Sequence, residues 1–174
     1  MLLYLFALRC EENAELGDNP IPAGVLYFPA RVPVVATDGK PEDGATIEAR
    51  EKSRKRKGLL LADKDVLYAM EPSDKPSRMP YTLKKDGSVS GDLADNKQMK
   101  LLSSYIFTLL AKMVDDLAAG CVSPNPYTRG GRHNACAYCP YGAICHPETV
   151  ENRRDYAAMS QQKFWEEIEK EVDN

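Results

Sequence analysis

Cys136-Ala-Tyr-Cys139-Pro-Tyr-Gly-Ala-Ile-Cys145 places three thiols within ten residues, in the spacing Cys-x2-Cys-x5-Cys. Pro140 and Gly142, both turn formers, lie between the second thiol and the third. A soft metal ion or an iron–sulfur cluster needs thiolates that converge on one point, and a tight loop delivers them without a large core behind it. Chance clustering is the alternative. It is disfavoured because cysteine is scarce elsewhere, with only five in 174 residues. The other two, Cys10 and Cys121, sit far off in apolar or loop contexts and read as buried or incidental thiols. Cubane clusters usually take four cysteines, so the fourth ligand is open. His133, three residues before Cys136, completes a local His-x2-Cys-x2-Cys-x5-Cys set that would hold zinc unaided. The plainer reading of His133 is a bystander. His146 adjoins Cys145 too closely to be an easy co-ligand.

The length suits one domain or a large part of one, and 43% hydrophobic residues suffice for a core. A net charge of −3 argues neither for nor against nucleic acid. Clustered thiols, an odd cysteine count and no secretory signal point to a reducing, cytoplasmic setting and a metal role, not a disulfide framework. Met1-Leu-Leu-Tyr-Leu-Phe-Ala-Leu8 is apolar, but it lacks the basic segment and cleavage site of a signal peptide. It is too short to span a bilayer, so no membrane association is expected. It reads as a buried helix that begins before Met1, in a chain cut from something longer.

Working outward, residues 1–10 form that helix in this reading, with Tyr4 and Leu8 on one face, and 11–22 a loop. Gly24-Val-Leu-Tyr-Phe28 is a buried strand, which Arg31 to Val35 extend as far as Pro29 and Pro33 permit. Thr46 to Lys57 suits a charged helix that Gly58 ends. Its basic run of Arg50, Lys52, Arg54, Lys55, Arg56 and Lys57 is either a solvated helix face or a contact to DNA phosphates. Leu59 to Leu61 is a buried segment, and Asp63 caps a small helix over Lys64 to Met70. A hairpin turns about Asp86-Gly87. The longest helix runs from Asn96 to Ala119, capped by Asp92 or Asp95 and ended by Gly120. Its buried face would be Leu102, Tyr105, Ile106, Leu109, Leu110, Met113 and Leu117. Met159 to Val172 form an amphipathic terminal helix with Phe164, Trp165 and Ile168 as its apolar contacts. The pattern is mixed α/β and helix-rich, divided into residues 1–120 and the cysteine loop with terminal helix, 121–174.

No P-loop and no nucleophile–histidine arrangement stands out. A restriction-endonuclease-type site needs an aspartate, then Asp/Glu-x-Lys on a neighbouring strand, to hold Mg²⁺ and orient water. The nearest candidate is Pro41-Glu42-Asp43 followed by Glu48-Ala49-Arg50. It has arginine for lysine and lies in a loop and a charged helix, so it is not read as catalytic.

Four segments keep a familiar order: Pro22-Ala-Gly-Val-Leu-Tyr-Phe28, Lys57-Gly-Leu-Leu-Leu-Ala-Asp63, Leu83-Lys-Lys-Asp-Gly-Ser88, and the cysteine ending at Cys145. With them the chain resembles the C-terminal end of the AddB-type subunit of AddAB helicase–nucleases. The cysteine spacing alone is shared with Cas4-type nucleases. The resemblance implies the C-terminal part of a restriction-endonuclease-like, PD-(D/E)XK nuclease domain in an ATP-dependent helicase–nuclease that processes double-strand breaks. It implies a 4Fe–4S cluster held by Cys136, Cys139, Cys145 and an upstream cysteine, and a helicase–nuclease A-type partner and DNA as its associates. The Mg²⁺-binding catalytic carboxylates and lysine would lie before Met1, with Tyr4 as the tyrosine of the glutamine–tyrosine motif that follows them. These 174 residues would then cut no DNA alone, and the fragment would be metal-free or carry zinc. The competing reading is a small zinc-binding interaction module. Half a nuclease domain would expose sheet edges and apolar surface, so self-association is expected. A clean monomer by light scattering would contradict it.

Overall fold

Lys57-Gly-Leu-Leu-Leu61 is the middle strand of the sheet that organises the first half of the chain. The structure is a computed structural model that describes residues 1–10, 17, 20–30, 34, 36, 40, 43–123, 125–129, 135–146 and 154–173. The elements, in order, are α1 (Leu2–Cys10), β1 (Gly24–Tyr27), α2 (Gly44–Ser53), β2 (Lys57–Leu61), α3 (Lys64–Met70), β3 (Tyr81–Leu83) and β4 (Val89–Gly91). Then come β5 (Leu93–Ala94), α4 (Asn96–Ala118), β6 (Tyr127–Thr128), a 3-10 turn (Ala135–Tyr138), α5 (Gly142–Cys145), β7 (Arg154–Asp155) and α6 (Gln161–Asp173). Two compact units divide within α4, as Met1–Ser104 and Tyr105–Asn174. Among the described residues no helix is long and apolar enough to cross a membrane.

In the first unit the sheet order is β1-β2-β5. β1 pairs antiparallel with β2, and β5 pairs parallel with it. Leu60 and Leu61 are buried because their strand has neighbours on both sides. β1 is an edge, so only Val25 of Gly24–Tyr27 is buried, and Tyr27 and Phe28 face solvent rather than the core. The expected extension cannot be traced, since 31–33 and 35 lie outside the described residues. Val34 is exposed and belongs to no strand.

Gly58 does not end a helix. It lies inside β2 at φ +150°, opposite Leu26, where an added Cβ would overlap the Val25 carbonyl oxygen. The helix ends earlier, at Ser53, where the Arg54 N–H donates to the Arg50 and Glu51 carbonyls. Arg54 to Lys57 therefore leave the helix and run into the strand.

Leu60, Leu67, Met79 and Tyr81 form the buried cluster of this unit, with Leu26, Met70, Val89 and Leu93 against it. α3 starts as expected, since Asp63 accepts from the Asp65 and Val66 N–H groups at 3.0 and 3.1 Å. The Tyr81 hydroxyl donates to the Leu67 carbonyl at 3.1 Å. Burial, then the nearby Glu71 charge, hold that phenol above its ordinary pKa. The Glu71 carboxylate accepts from the backbone N–H groups of Ser77, Arg78 and Met79. Bonds to an ionised acceptor are roughly twice as strong as neutral ones, so this one side chain organises the connection from α3 to β3.

The β3–β4 hairpin also follows local chemistry. Gly87 takes φ +75°, and the Asp86 carboxylate accepts from both the hydroxyl and the N–H of Ser88. Those bonds hold Asp86 below the usual carboxylate range. α4 opens on a reciprocal box in which Asp95 accepts from the Gln98 N–H and Gln98 accepts from the Asp95 N–H. It stops at Gly120, φ +70°, where the Cys121 N–H donates to the Asp116 carbonyl.

Two helices are less buried than their composition suggests. On α1 only Phe6 is buried, with Leu2, Leu5 and Arg9 half-buried beside it. Leu3, Tyr4 and Leu8 are exposed, because the inner stripe repeats at three- and four-residue steps and the rest turns outward. On α4 Met99 and Leu102 are buried, and Tyr105, Ile106 and Leu110 half-buried, but Leu109, Met113 and Leu117 are exposed.

In the second unit, β6 and β7 form a two-residue parallel ladder that the sequence did not announce. Arg154 Nε donates to the Asn125 carbonyl at 3.0 Å, and Tyr127 meets Tyr156 edge to face at 6.4 Å. α6 begins at Ser160, whose hydroxyl accepts from the Lys163 N–H. Ile168 is buried, and Phe164 and Trp165 are half-buried against each other at 5.2 Å. The Glu171 carboxylate of α6 lies close to the Tyr105 phenol of α4. Burial, then that carboxylate, raise the phenol's pKa.

Candidate metal centre

The cysteine loop lies between β6 and β7, so the ladder pins both ends of the excursion that carries it. The Arg129 guanidinium lies 4.7 Å over the Tyr156 ring and tightens the same stem. Within the loop, the Cys139 N–H donates to the Cys136 carbonyl at 3.2 Å. Tyr141 opens α5 by accepting from the Ile144 and Cys145 N–H groups. His146 closes it in the left-handed region at φ 45°. Turn bonds set the loop's shape, because Tyr138, Tyr141 and Ile144 are exposed and contribute little packing.

Cys136, Cys139 and Cys145 are free thiols, half-buried, exposed and half-buried. Among the described residues no three His, Cys, Asp or Glu side chains are grouped closely enough to hold a metal ion. His133 lies outside the described residues. The three thiols suit a soft metal or an iron–sulfur cluster in kind, but they are one donor short of a cubane set. Cys10 and Cys121 are exposed, which removes the buried alternative for both and leaves the incidental one.

The basic run does not form one helix face. Arg50 and Lys52 are on α2, Arg54 caps it, Lys55 and Arg56 turn, and Lys57 starts β2. Lys52 pairs with Glu48 at 2.8 Å and Arg54 with Glu51 at 3.5 Å. The hydrogen bond and charge of Lys52 hold Glu48 below its ordinary pKa. Arg56 turns away from α2, with its guanidinium 4.2 Å over the Phe28 ring and Nη1 3.5 Å from the Met79 sulfur.

Among the described residues of the 41–50 stretch no carboxylates converge. Asp43 accepts from the Lys40 N–H, Glu48 is paired with Lys52, and Glu42 is outside the described residues. A closer match to the nuclease motif is Asp95-Asn96-Lys97, directly after β5, with Asp63 just after the neighbouring parallel β2. The Ala62 N–H donates to the Ala94 carbonyl at 2.8 Å and aligns these two strand ends. Yet both carboxylates are committed to helix caps, so this pair reads as structural. Tyr4 stands exposed on α1.

Residues 1–146 match the family model of the PD-(D/E)XK nuclease superfamily. The chain belongs to that superfamily, and its mixed α/β architecture agrees with it. More particularly, it is similar to the B subunit of the ATP-dependent helicase/deoxyribonuclease of Clostridium acetobutylicum, at 32% identity over 99% of this chain and 15% of that protein. The Oceanobacillus iheyensis protein of the same name is 30% identical over 100% of this chain and 16% of its own length. That of Moorella thermoacetica is 34% identical over 82% and 13%. The chain thus spans about 15% of the length of the curated relatives it matches.

Proposed function

We propose that these 174 residues serve as the cysteine-bearing part of a nuclease domain in a helicase/deoxyribonuclease B-type subunit. In this reading the subunit works in the cytoplasm with an A-type partner and DNA, and processes double-strand breaks for recombinational repair. The observation that carries it is the similarity over 99% of the chain to the B subunit of a helicase/deoxyribonuclease. Cys136, Cys139 and Cys145 would supply three thiolates to a 4Fe–4S cluster, with a fourth cysteine from elsewhere in the longer protein. Such a cluster, when bound, cross-links the segments that ligate it. The β6–β7 ladder, Arg154 and the Tyr127–Tyr156 pair would fix the loop's base so that the thiols are presented together. Mg²⁺ would be held by carboxylates outside these residues, and Tyr4, exposed on α1, would lie on the helix that follows them.

The 174-residue chain alone is therefore expected to leave single-stranded DNA intact in Mg²⁺. Cleavage is followed on a labelled oligonucleotide, against a mock preparation. Cleavage that Cys136→Ala abolishes and the mock preparation lacks would sink this reading of the chain.

A further inference from the structure

We propose that the cleft between the end of α1, residues 20–22 and the start of α4 binds one phosphate group, held by Arg9, Asn96 and Lys100. The cleft offers about 220 Å³. Pockets for drug-sized ligands begin at roughly 300 Å³, so this one suits a small group rather than a whole nucleotide. Its charged lining is of one sign, with Arg9 from α1 and Lys100 from α4, and the neutral amide of Asn96 joins them. Two prolines, Ile21 and Met99 supply the remaining wall. Walls of that kind keep water from part of the site and strengthen the attraction between its cations and an anion.

The three polar side chains are uncommitted. Among the described residues, Arg9, Asn96 and Lys100 make no side-chain hydrogen bond and no ion pair. Arg9 is half-buried, and its guanidinium carries five N–H donors that need acceptors. Arg9 also suits the carbonyl end of α1, but that role calls for no second cation across the cleft. Asn96 and Lys100 lie four residues apart on α4 and so share a face. Asp95, the acid next to them in the chain, accepts from the Gln98 N–H at 2.8 Å and is not part of the lining. A tetrahedral phosphate presents oxygens in several directions, which meets a guanidinium fork and an ammonium from separate helices at once. The site does not depend on the DNA-processing role above. That role makes a strand's backbone one source of the phosphate, and free phosphate is the other.

Two probes of the full chain test this: anisotropy of a fluorescein-labelled oligothymidylate of about 15 nucleotides across a salt series, and calorimetric titration with inorganic phosphate. Arg9→Gln and Lys100→Gln are each expected to weaken the probe that binds by about tenfold or more. With a strand as the source, each also lowers the slope of log affinity against log salt by about 0.7. Asn96→Asp puts a negative charge into the cleft and is expected to abolish binding. Its urea midpoint should match or exceed the wild type, because an acid suits the first turn of α4. Lys85→Gln removes the same charge from the β3–β4 turn and should change neither probe. Dependence of the oligonucleotide on Arg9 and Lys100 assigns the site to a strand phosphate, and dependence of inorganic phosphate alone assigns it to the free ion. Glu11, Glu12, Glu15 and Asp18 lie outside the described residues, between Arg9 and Pro20 in the chain. If they neutralise the cations, neither probe binds and the site is overturned. An equal effect of Lys85→Gln and Lys100→Gln overturns it too. The cleavage and cluster measurements use none of these side chains, so they judge the broader nuclease reading separately.

Discussion

Gly58→Ala is expected to destabilise the first unit by about 2–6 kcal/mol, a large share of a domain's stability. Gly58 sits at φ +150°, a region that side-chain-bearing residues rarely enter, at a cost of about 1–3 kcal/mol. Its Cβ would also overlap the Val25 carbonyl oxygen. That oxygen belongs to the strand paired with β2 and cannot retreat without opening the ladder. Overpacking of this kind adds roughly 1–3 kcal/mol. Gly24 makes the reciprocal approach from β1, against the Leu59 carbonyl, so the crossing is tight from both sides. Total domain stabilities of about 5–15 kcal/mol leave little reserve. Gly44→Ala is the control, because a Cβ there meets nothing within 4 Å. It begins α2, where alanine is the better helix former, so its midpoint should match or exceed the wild type. Urea unfolding followed by circular dichroism gives both values. A wild-type midpoint for Gly58→Ala would mean that β1 does not approach β2 as described.

The same glycine shows where sequence reasoning stops. A glycine after a charged helix is a common stop signal, and nothing near Gly58 in the chain reveals that Val25 lies across from it. Features that close within three or four residues were legible: the Asp63 cap, the Asp86-Gly87 turn and the Gly120 stop, with Asp95 one of two cap candidates and its return bond from Gln98 unforeseen. Periodicity on α1 and α4 showed which residues share a face, but not whether anything covers Leu8 or Leu117. The β6–β7 ladder is two residues long and depends on Arg154 reaching Asn125, so no local pattern marks it. At the candidate site the thiols stood out as candidate donors because cysteine is rare here and closely spaced. The basic residues were legible as charges, but the position of Arg56 over the Phe28 ring was not, because pairing of distant strands brings the two together.

The largest effect expected at the cysteine loop is the loss of iron on changing one thiol. Protein extended upstream and purified without oxygen is expected to carry about four irons with matching acid-labile sulfide. Cys136→Ser, Cys139→Ser and Cys145→Ser should each bring both to background. A serine hydroxyl stays protonated at neutral pH and offers no soft thiolate, and a cubane missing one corner loses much of its affinity. Cys10→Ser and Cys121→Ser are the decisive comparisons, since both thiols are exposed and both lie outside the loop. Full iron in these two places the fourth ligand beyond the 174 residues. Loss of iron in Cys121→Ser would instead put that ligand at the end of α4, within the same unit as the loop. If the 174-residue chain holds one zinc tightly, releases it in His133→Ala, and gains no iron on extension, the loop is a self-contained zinc site. The cluster assignment then fails, whatever the similarity to helicase/deoxyribonuclease proteins.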